Sequence, residues 1–470
     1  MPATILSRRL SLFLTIGFWL ASVLACRPTP LSVTTLTAAV TPTDVFAPGV
    51  RRCDYVPGIS TVAPLPTGVP FITPTPLILP SLPDNARVDA AVTARQLRTF
   101  HQLWHLVDSE YLDPNFNGHD WEAIGQKYFL LISGGLSDAD FYYAMKLMIA
   151  ELGDDHSNFL SPEEAAQSRA ETQGHNDFIG FGFALQSIPD TNHAVILYVF
   201  ANSPAAAAGL RAHDILMRID GQPAVAANGS LAPQLRGPAG SRATLTIQRP
   251  GLPPHEVTLT RERITGAVPV DYCVIPHTRV AYIYLPTLAD ETIADQVRTA
   301  LLRLTARGEL EGVILDNREN NGGAYTQMKA LLGFFTQGYV GDFVNRAGSQ
   351  PLYIQAESIA NSQTTPLVVL VSQNTVSYAE IFSGILQHSG RARLVGTPTA
   401  GNVESLWTYD LEDGSQAWIA HDAFRPVGLA AGAWEGTGLI PEVIGPTRWD
   451  WFTEATDPAW EVALELLSNP

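Results

Sequence analysis

Residues 366–387 read PLVVLVSQNTVSYAEIFSGILQ, and this stretch decides the fold. Residues 366–371 form an unbroken apolar run, short and valine-rich, as expected of a strand buried on both faces. Residues 379–387 then take up a helical pattern, with Ser377 in the loop between. A buried strand feeding a loop and a helix N-terminus is the unit of an α/β sheet, and reactive side chains belong at such strand ends. Working outward, residues 280–285 and 312–316 read as further strands and residues 291–307 as a helix between them. The 312–316 strand ends in Asn317, Arg318, Glu319, Asn320, Asn321, Gly322 and Gly323, and another helix begins near Tyr325.

Upstream the period changes. In residues 96–111, Leu97, Phe100, Leu103, Trp104, Leu106 and Val107 recur at spacings of three and four, a buried helix face. A second helix follows Trp121, and Ser137 with Asp140 caps a third over residues 139–152, which Gly153 ends. From Gly174 to about Arg263 short strands alternate with Gly and Pro turns. The order there is Gly180-Phe181-Gly182-Phe183, then 203–210 (Ser-Pro-Ala-Ala-Ala-Ala-Gly-Leu), an Asp220-Gly221 turn, and 235–240 (Leu-Arg-Gly-Pro-Ala-Gly) before a strand at 243–248.

The 470 residues carry 29 Lys and Arg against 46 Asp and Glu, a formal charge of −17 with no basic stripe, which argues against nucleic acid as a partner. At 46% hydrophobic residues, the protein has enough apolar mass to bury more than one core. Its lysines are Lys127, Lys146 and Lys329 alone. Arg8 and Arg9 precede an apolar run to Ala25, read as a signal peptide over residues 1–25. Val23-Leu24-Ala25-Cys26 resembles a bacterial lipobox, which implies lipidation at Cys26, export and anchoring to a membrane; a plain secretory signal or an uncleaved anchor is the alternative. Residues 26–85, dense in Pro and Thr, read as an extended tether. Cys53 and Cys273 can pair in an oxidising compartment or stand as isolated thiols.

Asn374 to Ile381, with the Asn-Asn-Gly-Gly end of the 315–323 segment and the stretches 391–401 and 436–442, resembles the C-terminal processing peptidases, together with the tricorn core and the retinoid-binding-protein-like peptidases of the same superfamily. The 174–263 segment resembles a PDZ domain of the bacterial peptidase type. The resemblance spans roughly residues 88–445 and implies an α/β and α+β multidomain fold whose peptidase core is crotonase-like, the ClpP/crotonase type. The expected division is an N-terminal helical part over 86–172, a PDZ domain over 173–264, an α/β core over 265–447 and a helical tail over 448–470. By resemblance Ser377 is the nucleophile; the Gly-x-Ser-x-Gly elbow and Ser-x-x-Lys are both absent.

A serine needs a base to take its proton. The C-terminal processing branch uses a lysine about 25 positions later, but Asn402 stands there and cannot serve. The tricorn branch uses a histidine after an N-terminal helix and a late glutamate, which His156 in residues 151–157 and Glu435 in residues 434–438 resemble. A Ser377, His156, Glu435 triad is therefore expected, with Gly323 (or Gly322) and Tyr378 giving oxyanion N–H groups. Gly180, Phe181, Gly182 and Phe183 would cradle a peptide carboxylate beside a strand edge able to accept an extended peptide. The partners implied are protein or peptide substrates, with no cofactor and no metal. The alternatives are a catalytically inactive, lipid-anchored peptide-binding protein and an esterase or small-peptide amidase using the same triad.

Overall fold

In the computed structural model, which describes residues 50–56 and 89–468 apart from 155, 173–175 and 228, the strand Leu367–Val371 lies inside a six-stranded sheet. The order is Tyr272–Val274, Val280–Tyr284, Gly312–Asp316, Leu367–Val371, Arg393–Gly396 and Val443–Ile444; the first pair is antiparallel and the others are parallel. Side chains alternate between two cores, as the pleat requires. Leu367, Val369 and Val371 face one, whereas Val368 and Leu370 face the other. Burial on both faces is why the run is apolar at every position.

Helix α1 (Ala90–Glu110), α2 (Trp121–Ser133) and α3 (Asp138–Ala150) build a separate core around Phe100, Leu103, Tyr128, Phe141 and Met148. Ser137 caps α3 by accepting from the Asp140 N–H, and Gly153 follows with φ +70°. The same core includes Leu411, Ala417, Ile419 and Ala420. Leu411 lies in the turn after Ser405–Asp410, and the others come from a second, antiparallel sheet containing Asn158–Leu160, Gln416–Pro426, Gly338–Asn345 and Gly348–Ile354, with Ser405–Asp410 also on Gln416–Pro426. The pairing of Asn158 with Trp418 draws the end of the N-terminal region onto the α/β core. Helix α4 (Pro162–Thr172) follows.

Asn176–Gly180 pairs with Glu262–Gly266, a two-stranded stem through which the backbone enters and leaves the PDZ segment. Its sheet runs Phe183–Ser187, Ala194–Val199, Ile215–Ile219, Arg242–Gln248, His255–Thr260, so Phe183–Ser187 is an edge. Helix α5 (Pro204–Ala207) is one turn, capped by Ser203. In the core, α6 (Ile293–Thr305), α7 (Tyr325–Phe335) and α8 (Tyr378–His388) cover one face of the parallel sheet. Trp460 on α9 (Pro458–Ser468) packs on the other.

The C-terminal segment also clamps the PDZ segment to the core. Trp449 Nε1 donates to Ile196 O at 3.1 Å, and the His213 ring stacks on Trp449 at 4.0 Å while its Nδ1–H donates to Trp449 O at 2.9 Å. Beneath them the fully buried Arg318 bridges Asp316 and Asp457.

Cys26, the expected signal peptide and most of the expected tether lie outside the described residues. The described part of the tether differs from the expected spacer, because residues 50–56 are docked on the core. Cys53 is disulfide-bonded to Cys273, Arg51 pairs with Glu454 at 2.6 Å and with Asp271, and Tyr55 packs against Trp460. A covalent link and a forked guanidinium offset the entropy of ordering so short a strap. No helix among the described residues is long and apolar enough to cross a membrane.

Candidate active site

Ser377 is the N-cap of α8 and has φ +58° and ψ −131°, a conformation costly for any residue with a Cβ. Its surroundings impose that geometry. The Ser377 N–H donates to Asn402 O at 2.7 Å, and the preceding Val376 N–H donates to Asn320 O at 3.0 Å. Thr375 is wholly buried and structural: its hydroxyl donates to Asn317 O and accepts the Ser372 N–H.

Glu380, one turn into α8 and fully buried, accepts from the Thr399 hydroxyl at 2.5 Å, the Gly401 N–H at 2.8 Å and the Asn402 N–H at 2.9 Å. Burial raises its pKa, an effect these donors oppose. The carboxyl thus bolts the 399–402 loop to the helix that presents Ser377. Nothing in the local sequence marks it apart from a helix-face acid, because its partners come from a later loop.

Gly322 lies against the serine: a Cβ there would sit 2.7 Å from Ser377 Cβ. Gly323 follows at φ +144°, pressed on the Leu288–Ala289 backbone, where a side group would have no room. The N–H groups of Gly323 and Tyr378 have no hydrogen-bond partner among the described residues.

His156 arrives from the other side, in the turn between α3 and Asn158–Leu160. Asp154 holds that turn, its carboxylate accepting from the His156 and Ser157 N–H groups, and the Ser157 hydroxyl accepts from Ala420 N–H at 3.1 Å. The ring meets Glu435 at 3.0 Å through Nε2. The other Glu435 oxygen accepts the Val403 N–H at 2.8 Å. Gly401, at φ +76°, is packed on the Gly436–Gly438 backbone and its carbonyl accepts the Gly436 N–H at 2.7 Å. Loop 399–403 therefore runs from Ser377 to Glu435 and His156. Among the described residues no hydrogen bond joins Ser377 Oγ directly to the His156 ring.

Burial works against a charged imidazole, but Glu435, with Glu404 and Asp154 behind it, outweighs burial and holds the His156 pKa up at about 8. Conversely, His156 and backbone N–H groups overcome the burial of Glu435 and hold its carboxyl below the usual range. The lysines are engaged elsewhere: Lys127 with Glu151, Lys146 with Glu164, and Lys329 over the Tyr325 ring on the exposed side of α7.

A cavity of about 790 Å³ runs from the PDZ segment to the loop that carries Ser377. Gly180, Phe181 and Phe183 line it with the edge strand, facing Asn321, Asn374 and Val376. Gly182 is not in the lining; its α-carbon is turned onto Ser203. Glu319 also faces this cavity, and burial pushes its carboxyl up to about 8.

Family models match at residues 279–442 (peptidase family S41), 96–150 (tricorn protease C1 domain) and 195–249 (PDZ domain). Fold and matches together define a serine-type peptidase carrying a PDZ domain. A carboxyl-terminal-processing protease of Synechocystis is 32% identical over 391 residues, covering 78% of this chain and 86% of that one. The chloroplastic C-terminal processing peptidase of Tetradesmus obliquus is 30% identical, over 75% of this chain and 79% of its own. The protein belongs to the C-terminal processing peptidases of family S41. Among solved structures, the photosystem II D1 C-terminal processing protease superposes with a TM-score of 0.53 at 26% identity, over 76% of this chain and 94% of that one. An S41 protease of Bacteroides fragilis shares the fold, with a TM-score of 0.55 at 17% identity over 78% and 97%.

Proposed function

We propose that this protein is an exported, lipid-anchored endopeptidase that takes unfolded or C-terminally exposed polypeptides through its PDZ domain and cleaves them with a Ser377, His156, Glu435 triad in place of a serine–lysine dyad. The observation that carries the reading is the 3.0 Å contact between His156 and Glu435, reached through the loop that holds Ser377, in a protein whose position 402 is asparagine.

With Nε2 turned to Glu435, Nδ1 is the ring nitrogen that takes the Ser377 proton as Oγ attacks the scissile carbonyl. The N–H groups of Gly323 and Tyr378 receive the oxyanion. His156 then returns the proton to the leaving amine, and the acyl-enzyme is hydrolysed by water through the same groups in reverse. An extended peptide added to the Phe183–Ser187 edge, its carboxylate on the Gly180–Phe183 loop, would lie in the cavity that reaches Val376. Disulfide bonding of Cys53 supports an oxidising compartment outside the cytoplasm, and the basic and apolar N-terminus supports export, with Cys26 as the lipidated residue.

The test is turnover of fluorescein-labelled β-casein, an unfolded protein, by the wild type and by Ser377→Ala and His156→Ala. Both substitutions should abolish cleavage. Retained activity in the serine variant would overturn the nucleophile, and in the histidine variant the base. Activity on esters or short peptides with none on casein would instead favour the amidase reading.

A further inference from the structure

His156 Nε2 is approached by two carboxylates. Glu435 Oε1 lies at 3.0 Å and Glu404 Oε2 at 3.8 Å, while the imidazole itself is only 6% exposed. The two acids are not equivalent. Glu435 is pinned by the Val403 N–H, so its position is set by the backbone. The Glu404 carboxylate arm, 21% exposed, faces the same nitrogen from the start of Ser405–Asp410.

We propose that Glu404 is a positioning residue whose charge, set beside the Glu435 carboxylate that hydrogen-bonds Nε2, holds the His156 ring as an imidazolium in the resting enzyme and so governs how readily the base is freed to act on Ser377. The proposal rests on His156 being that base.

The charged groups around the pair are consistent with this. His156 faces Glu435, Glu404 and Asp154; Glu404 faces His156, Glu435, Asp154 and Asp113, with Tyr111 alongside. Every one of these neighbours of the ring is acidic. Burial first, then Glu435, Asp154 and Asp113, raise the Glu404 carboxyl to about 7 against the pull of His156. Glu404 and His156 therefore titrate close together and as a coupled pair. A carboxylate about 4 Å from an imidazole typically moves its pKa by about one unit or more. As pH rises, ionisation of Glu404 adds a second negative charge beside the ring and delays the loss of its proton.

The test is Glu404→Gln, which keeps the shape and removes the charge. The acid limb of the pH profile of kcat/KM on labelled β-casein should move to lower pH by about one unit. An unmoved limb overturns the proposal, whatever happens to the rate. A second measurement needs no turnover: NMR titration of the His156 ring in full-length Ser377→Ala, with and without Glu404→Gln. The midpoint should fall in the double variant, and an unchanged midpoint refutes the role. If His156→Ala keeps activity, the base assignment itself fails, an outcome distinct from either of these.

Discussion

His156 and Glu435 stand 279 positions apart in the sequence and 3.0 Å apart in space, and loop 399–403 joins both to Ser377. The acids around the ring hold its pKa at about 8, and only the neutral ring can accept the serine proton. A raised pKa means the inactive, protonated form dominates below that value. The kcat/KM should therefore rise with pH through about 8, with roughly a tenth of the plateau value at pH 7. A pH–rate profile between pH 5 and 10 checks it.

Substitution of the base candidates separates two activation schemes. His156→Ala should lower kcat by about 10⁶-fold, the scale seen when the serine or histidine of a triad is removed. Asn402→Ala should stay within about tenfold of wild type, because the Asn402 groups that hold Ser377 and Glu380 are its backbone carbonyl and N–H. Equal losses in parallel casein assays would show the assignment of His156 as base to be wrong.

Glu380 holds the nucleophile loop without being assigned a chemical role. Glu380→Ala strands the Thr399 hydroxyl and the Gly401 and Asn402 N–H groups in a buried site, at a cost of about 3 kcal/mol or more. Displacement of Ser377 should also lower kcat by about 100-fold. Denaturant unfolding and kcat would both register the change.

The Cys53–Cys273 disulfide closes a span of 220 residues. By the entropy it removes from the unfolded state, constraining a loop of that size is worth up to about 5 kcal/mol. Melting under reducing conditions, or of Cys53→Ser, should give a Tm several degrees lower and free the 50–56 strap, read out as faster proteolysis near Arg51 and Arg52.

Histidine 213 links acid stability to the docking of the PDZ segment. Burial, with Arg318 nearby, lowers its pKa to about 4, so the folded protein keeps the ring neutral against Trp449. Between about pH 6.5 and 4 the unfolded state binds the extra proton and the folded one does not, so stability falls as pH drops through that window, by at most about 3 kcal/mol. His213→Phe should be less stable at pH 7 and show a flatter decline. Tm against pH for the two proteins decides this.

Much of the fold was legible because it rests on local pattern. The 366–371 run, the helix period of residues 96–111 and the Ser137 cap all depend on neighbours within a few residues, and strands and helices stand near where they are expected. Glu404 and Glu380 were not legible. A carboxylate in a loop or on a helix face carries no mark of the partner it will meet, and their partners lie on other elements. The docked strap at 50–56 escaped notice because a Pro- and Thr-rich composition masks a segment fixed by one disulfide and one arginine.

By itself the sequence determined that a serine would stand at a strand-to-helix junction, that no lysine would stand at 402, and that a PDZ-like segment would precede the core. Those are properties of residue identity and short-range order. The resemblance named His156 and Glu435, but only the tertiary structure brings them into contact and sets Glu404 beside them. Asn158–Leu160 must first pair with Gln416–Trp418, and Gly401 must pack on Gly436–Gly438, before His156 and Glu435 can meet. Those contacts join positions far apart in the sequence, and hydrogen bonding and packing establish them only when the sheets close.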